Sequence, residues 1–425
     1  MNKLDFLVIA PTPFYANRGC HMRIRGEAEA LQKKGRKVLI LTYKEGENVP
    51  GLKIIRSPIG MGFGQGVAAT WKNIPAGFFL FWSVLYETLY QRPKIIYGHL
   101  FEGAAIGIAV KYLAIFLSLF HYNPVLVLDA QGSLSEEMMS YGMVKNPVLL
   151  KLVQWLEKFI LFFSDYVFAS SVQCAESLKK VRPGSRPIVL YDGVSIFRKS
   201  ISLESISKFR EKNDKEKALS KISAYFSSPQ ISLIQEWIKN NNLILLYTGS
   251  YSFAKGFPAF AEKSLPELLK NPNIRFLFGG GKSASIPDLD KLISDNPDKI
   301  MSVSDLNLKN LPYFLLLGDI AIDCKPPKTS ESSGKILNYM AMGLPVVCFD
   351  QKNNKLFLKE GGFFARDYAE FTEGIIKLSG NSNLIIEMGN KNLKRAWNEF
   401  TWDKTADKIL ETVLNHESRI TNHGP

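Results

Sequence analysis

Cysteine is scarce in this sequence: there are four in 425 residues (Cys20, Cys174, Cys324 and Cys348), and no two stand in a CxxC or CxxxC pair. A disulfide framework and the usual zinc spacings are therefore excluded, and a reducing compartment is the simplest setting. GxGxxG does not follow the first apolar run and GxxxxGK[ST] is absent, which removes the dinucleotide fingerprint and the Walker loop. There is no zinc finger, RNP-like stretch or basic repeat with interleaved aromatics, so nucleic acid is not an expected partner. No Asp-x-Asp stands in a setting that suggests metal binding, and a metal-independent site is expected. The opening MNKLDFLVIAP is a short apolar run broken by Asp5 and closed by two prolines, which reads as a first strand and not as a signal peptide.

Long uninterrupted apolar runs are missing too. The segments 76–90, 104–120 and 147–163 are each at or below the ~17-residue minimum for a membrane span. The second is interrupted by Lys111 and the third by Lys151, Glu157 and Lys158, so none is expected to cross a membrane. Helices buried beside a sheet are the plainer reading; the alternative is that part of this surface lies on a bilayer. In the third segment Lys151, Gln154 and Lys158 fall three and four apart, on one helical face.

The chain is rich in ordinary core material, 46% hydrophobic against 22% charged, and its length calls for two domains. Charge is unevenly shared. Residues 1–199 carry 24 Lys and Arg against 14 Asp and Glu, the remainder 29 against 26. Such a basic half suits an anionic lipid surface or a phosphorylated substrate.

Short apolar runs alternate with helical patterns throughout. Strands are expected at residues 5–10, 37–42, 53–56, 95–97, 125–129, 166–169 and 188–191, then at 243–247, 275–278, 300–303, 320–324 and 346–349. Continuous apolar strands separated by helices indicate parallel sheets covered on both faces. Two Rossmann-like, doubly wound α/β domains follow. The expected divisions are residues 1–197, an exposed helical insertion or linker at 198–242, a second domain at 243–400, and a helix and tail at 401–425.

Four stretches carry chemistry. PTPFYANRGCHMRIRGEAEALQKKG (11–35) places Gly19 at a helix entrance, where free N–H groups favour an anion or hydroxyl, with Arg18, Arg23 and Arg25 as further donors. LLYTGSYSFAKGF (245–257) sets Gly249 and Ser250 at a strand end and Lys255 beside Gly256 where a helix begins, the ligand edge of an open parallel sheet. RFLFGGGKS (275–283) makes another strand-to-glycine turn. SSGKILNYMAMGLPVV (332–347) is a helix with Lys335 and Asn338 on it, closed by Gly343 and followed by a strand. Weaker candidates are His99, Asp129 and His21, each as readily structural as functional.

DIAIDCKPPKTSESSGKILNYMAMGLPVVCFD (319–350) resembles the nucleotide-sugar loop of glycosyltransferase family 4, which runs through EAMAxG or EYMAxG into PVV. YDGVSIF (191–197) resembles the same family's NGVDxxxF hinge, and together with the Gly19, TGSYSFAKG and GGGK turns the likeness spans about residues 1–410. It implies the GT-B fold and a retaining enzyme that moves a sugar from a nucleoside diphosphate donor to an acceptor hydroxyl. The donor is a substrate, and no cofactor is implied.

The family pattern also assigns positions. Lys255 is kept where the family holds the diphosphate, whereas Ser250 replaces a frequent Arg. The two frequent glutamates fall at Ser330 and Asn338, with Glu331 one place away, and Gln131 in DAQGS stands where a His contacts the sugar. The expected catalytic residues are Lys255, Glu331 and Gln131. Arg18, Gly19, His99, Gly249, Ser250, Ser330, Gly334, Lys335 and Asn338 are the expected binding residues besides. Lys335 and the helix entrance form a diphosphate seat, with Asn338 placed for a ribose or sugar hydroxyl. The acceptor is expected to be a glycan or lipid-linked molecule in cell-surface glycan or glycolipid synthesis. The expected setting is cytoplasmic, with a peripheral place on the inner face of the cell membrane as the alternative. A degenerate member that binds nucleotide or glycan without turnover, or a nucleotide-sugar epimerase on the same fold, is the alternative.

Overall fold

The computed structural model of the chain describes residues 4–16, 19–59, 74–140, 143–194, 212–280, 287–304, 306–325 and 333–421. The chain divides into two compact units. One is Met1–Gly193 together with Thr401–Pro425; the other is Val194–Thr329 together with Ser333–Phe400.

The first unit is built on β1 (Phe6–Ala10), β2 (Val38–Thr42), β3 (Lys53–Arg56), β4 (Ile95–His99), β5 (Val125–Ala130), β6 (Tyr166–Ala169) and β7 (Ile188–Val189). All pair in parallel, in the order β3-β2-β1-β4-β5-β6-β7. Every residue of β1, β2 and β4 is buried, as helices on both faces require. The helices are α1 (Gly19–Lys33), α2 (Ile74–Gln91), α3 (Leu100–Leu117), α4 (Leu134–Ser140), α5 (Pro147–Phe163) and α6 (Val172–Val181). The C-terminal helix Trp402–Thr421 belongs here as well. Gly26 of α1 and Gly193 leave room for the Trp402 side chain, and Lys33 and Lys34 pair with Asp403 and Asp407.

Glycine decides how closely α3 approaches the sheet. A Cβ on Gly98 would stand 2.6 Å from the backbone nitrogen of Ala104, so the end of β4 and the first turn of α3 meet backbone to backbone. Leu100, at φ 60°, turns the chain from strand into helix without a loop. Because the helix starts there and not at residue 104, it reaches 18 residues, which corrects the expected length. By length and composition α3 is able to cross a membrane, but 44% of it is buried, its Gly107 facing Leu126 and Ile96 of the sheet.

In the second unit β8 (Leu243–Thr248), β9 (Ile274–Gly279), β10 (Ile300–Val303), β11 (Ile320–Asp323), β12 (Val346–Phe349) and β13 (Gly362–Ala365) form a parallel sheet in the order β10-β9-β8-β11-β12-β13. The twelve expected strands are all present, and β13 is added. Of the segment expected as an exposed insertion, 198–242, the described residues from 212 onward are instead packed in. Within it α7 (Lys212–Lys221) and α8 (Ser228–Lys239) bury Leu219, Ile234, Trp237 and Ile238, and the Trp237 indole donates to the Asp298 carbonyl at 2.9 Å. Glu216, Lys217, Lys221, Glu236 and Lys239 occupy the outward positions of these helices, and Lys215 pairs with Asp319 at 2.7 Å.

In each sheet the strand order reverses beside the unit's first strand, between β1 and β4 and between β8 and β11. Ligands of open parallel sheets lie outside the carboxyl ends of strands at such a reversal.

Candidate active site

At the reversal in the second unit, β8 hands the chain to Gly249, whose φ of 133° favours glycine. The Gly249 amide donates to the Gly279 carbonyl at 2.8 Å, and the Tyr247 hydroxyl donates to the Ser250 carbonyl at 2.9 Å. Helix α9 (Gly334–Ala341) begins beside this turn and is tied to it through Tyr339, whose hydroxyl accepts from the Thr248 amide at 2.8 Å. The Ser333 side chain makes no capping bond to the N–H groups at the start of α9. Those N–H groups and the helix dipole favour an anion.

Lys335 lies in the first turn of α9. Its Nζ is 3.2 Å from Asp323 Oδ1 at the end of β11 and 4.3 Å from the centre of the Tyr247 ring. A Cβ on Gly249 would come within 3.5 Å of the same Nζ, so the glycine turn and the ammonium are immediate neighbours. Burial pushes the Lys335 ammonium down, but Asp323, with Tyr339 and Cys324, raises it above its ordinary value. Burial likewise raises the Asp323 carboxyl, and Lys335, Ser333 and Lys325 outweigh that effect and hold it below the usual range. Both groups stay charged. Lys335 is therefore neither a solvated helix lysine nor an isolated cation: it is a buried ammonium held in place by a carboxylate and an aromatic face.

Gly249, Ser250, Gly334 and Lys335 are thus brought together. Asn338 lies one turn further along α9 and is half-buried. Lys255 ends a short turn, Phe253–Lys255, whose backbone adjoins the same strand edge: its carbonyl accepts from the Cys324 thiol at 3.7 Å. Arg18, Ser330, Glu331 and the GGGK lysine lie outside the described residues. Asp323 was missed by the sequence reading. Its signal is a carboxylate closing the apolar strand IAID at the ligand edge of the sheet, twelve residues before Lys335.

In the first unit the reversal is filled by a buried network. Arg23 donates to both oxygens of Asp129, at 2.8 and 2.6 Å, to Asp192 at 2.6 Å and to the Leu190 carbonyl at 3.0 Å. It also lies 3.1 Å from Glu27, which accepts from the Tyr97 hydroxyl at 2.8 Å. His99 Nδ1 bonds Asp129 at 2.9 Å. Arg23, expected as a donor, is 2% exposed and His99, expected as a binding residue, 1%, so both side chains lie inside the unit among these carboxylates. Glu27, His99 and Asp129 offer ligand atoms within 4.8 Å of one another, but the cation among them is the Arg23 guanidinium.

One guanidinium faces three carboxylates there. Burial raises the Asp129 carboxyl, yet Arg23 and His99 hold it well below the usual range. Burial lifts Glu27 well above its ordinary value, beyond what Arg23 recovers. His21 is also buried and does not face water; it closes the 12–16 loop by accepting from the Ala16 amide at 2.9 Å and pairing with Thr12 at 2.6 Å. Gly19 is exposed at the start of α1, with nothing within 4 Å of where a Cβ would stand. Gln131 follows β5, and its buried amide nitrogen has no hydrogen-bond partner among the described residues.

Residues 242–381 match the family described as glycosyl transferases group 1. Sucrose-phosphate synthase from Thermosynechococcus elongatus superposes with a TM-score of 0.72 at 14% identity, over 98% of this chain and 100% of that one. The catalytic domain of starch synthase IV from Arabidopsis thaliana, bound to ADP and acarbose, gives 0.69 at 13% identity, over 97% and 99%. HepE from Anabaena in complex with UDP gives 0.67 at 14% identity, over 97% and 100%. No curated protein matches by sequence. Residues 242–381 of the second unit thus match a group 1 glycosyl transferase domain, and the chain shares the GT-B fold of these solved glycosyltransferases.

Proposed function

We propose that the chain transfers a sugar, with retention, from a nucleoside diphosphate donor to an acceptor hydroxyl in cell-surface glycan or glycolipid synthesis. The observation that carries this reading is the placement of Lys335 between Asp323, the Tyr247 ring and the Gly249 turn, in the first turn of α9. A cation already fixed before the leaving group develops its charge costs no reorganisation during the reaction. In this scheme Gly249, Ser250, Gly334 and Lys335 seat the diphosphate, with Ser330 beside them. Asn338 takes a donor hydroxyl, while Lys255 and Glu331 act on the departing group and the sugar. Gln131, with its unpartnered amide nitrogen, and the Arg18–Gly19 turn serve the sugar and acceptor side. The basic first unit keeps the enzyme at the inner face of a membrane, near a lipid-linked acceptor.

The test is a panel of nucleoside diphosphates and their sugars, beginning with the uridine and adenosine series because structural relatives hold UDP and ADP. A ligand of the native state raises the melting temperature. Sugar transfer that requires an added acceptor supports the reading. Interconversion of the donor sugar without acceptor identifies an epimerase instead, and binding without either reaction identifies a chain that has lost turnover.

A further inference from the structure

The first unit turns an aromatic surface outward. Along α5, Val148, Leu152, Trp155, Phe159 and Phe162 recur at intervals of three and four and so form one stripe. Trp155 and Phe162 are each 61% exposed. The opposite side of the helix, Val153, Ile160 and Leu161, is buried against the unit, so the helix is apolar on both its inner and its outer face. Helix α3 packs beside it, with Tyr112 edge-on to Phe163 at 5.6 Å; its last turn exposes Phe116 and Leu117, and the turn after it exposes Leu119 and Phe120. Helix α2 presents Phe78, Trp82, Tyr86 and Tyr90 in a second stripe.

Charge on α5 and α3 is sorted by side. Glu157, the acid of α5, is buried and accepts from the Leu134 and Ser135 amides at 3.0 and 3.2 Å. Lys111 of α3 is buried against Asp165 at 2.5 Å. What α5 leaves outside is Lys151 and Lys158, alongside the aromatic stripe. Arg182, just after α6, stands over the Phe162 ring at 4.9 Å. An exposed apolar stripe that carries Trp155 and is flanked by lysines has the chemistry of a surface that lies in a bilayer interface. A second copy of this chain fits it poorly, because a two-fold contact would set Lys151 and Lys158 against themselves with no outward acid on α5 to compensate.

We propose that the outward face of α5, extended by the ends of α3 and by α2, inserts into the headgroup region of an anionic phospholipid bilayer. This rests on the membrane-peripheral reading above and deepens it by assigning the surface and adding an apolar component to a charge-driven one.

The experiment is flotation of the full chain with phosphatidylcholine vesicles, with and without phosphatidylglycerol, in a salt series. The wild-type chain should float with the anionic vesicles, and a fraction should stay bound in salt that screens exposed charge. Phe162→Ser with Phe159→Ser should weaken binding at least tenfold with only a small fall in melting temperature, since the rings are 61% and 36% exposed. Tryptophan fluorescence should be quenched by lipids brominated on their acyl chains, and that quenching should fall in Trp155→Phe and be largely lost when Trp82→Phe is added. A chain left in solution overturns both this proposal and the membrane-peripheral reading. Binding lost on Lys151→Glu with Lys158→Glu but untouched by the phenylalanine changes overturns insertion and leaves electrostatic adsorption. A dimer dissolved by the phenylalanine changes overturns it in favour of self-association. None of these readouts uses donor or acceptor, so a failed transfer assay leaves them standing.

Discussion

Asp323 and Lys335 stand or fall as a pair. Removing one partner of a buried ion pair costs about 3–5 kcal/mol because the other is left uncompensated. Asp323→Asn should therefore lower the melting temperature. In the proposed scheme it should also tighten nucleoside diphosphate binding, because Lys335 is then no longer shared with a carboxylate. Titration calorimetry that finds affinity unchanged would assign the pair to folding alone. Lys335→Ala should act in the opposite sense on affinity, and by more than the loss of a single charge-assisted bond, since it leaves the Asp323 carboxylate facing the anion. Lys255→Ala should reduce turnover by ~10²–10³ with little change in melting temperature; full activity would remove Lys255 from the reaction.

At the scale of the element, the contact between β4 and α3 separates two glycines that look alike in the sequence. A Cβ on Gly98 meets the backbone of Gly103 and Ala104, which has no rotamer to yield, whereas one on Gly107 meets the ends of Leu126 and Ile96 side chains. Alanine in mid-helix regains up to about 1 kcal/mol over glycine. Gly107→Ala should accordingly be near neutral, and Gly98→Ala should destabilise by at least ~1–3 kcal/mol, as denaturant midpoints will show. Strand-level organisation was legible because β-branched and leucine-rich runs such as FLVIA and VLILT cannot be satisfied except between covering layers. GGFFA was not, because two glycines and two half-buried rings make a weak edge strand. The turns at Gly249 and Gly334 were legible as strand-to-helix junctions. The partners of Arg23 and Lys335 were not: Asp129 lies 106 residues from Arg23, and its distance is set by the order of strands, not by spacing along the chain.

Across the whole molecule, the Arg23 network should govern the pH dependence of stability. A glutamate in an unfolded chain titrates near ~4.3, and Glu27 is raised well above that in the fold. Its contribution is therefore fully present below the unfolded value and is lost as pH rises through the folded one. Asp129, held low, has the opposite sign: its contribution is present above its unfolded value, ~3.9, and is lost as pH falls toward the folded one. Melting temperatures of wild type and Glu27→Gln, compared between about pH 5 and pH 8, should diverge in favour of the variant as pH rises. A constant difference would show that Glu27 ionises normally.

The pairing of Trp402 with Gly26 and Gly193 also sets a clock. A ribosome delivers about 5–20 residues per second, so Val194–Phe400 takes roughly ten to forty seconds to emerge after the first unit's sheet is complete. Through that interval the groove on α1 that receives Trp402 is open to water, and the second unit has all its strands before the first has its last helix. The unit begun first is finished last, and its uncovered groove is the natural place for a chaperone to hold the nascent chain.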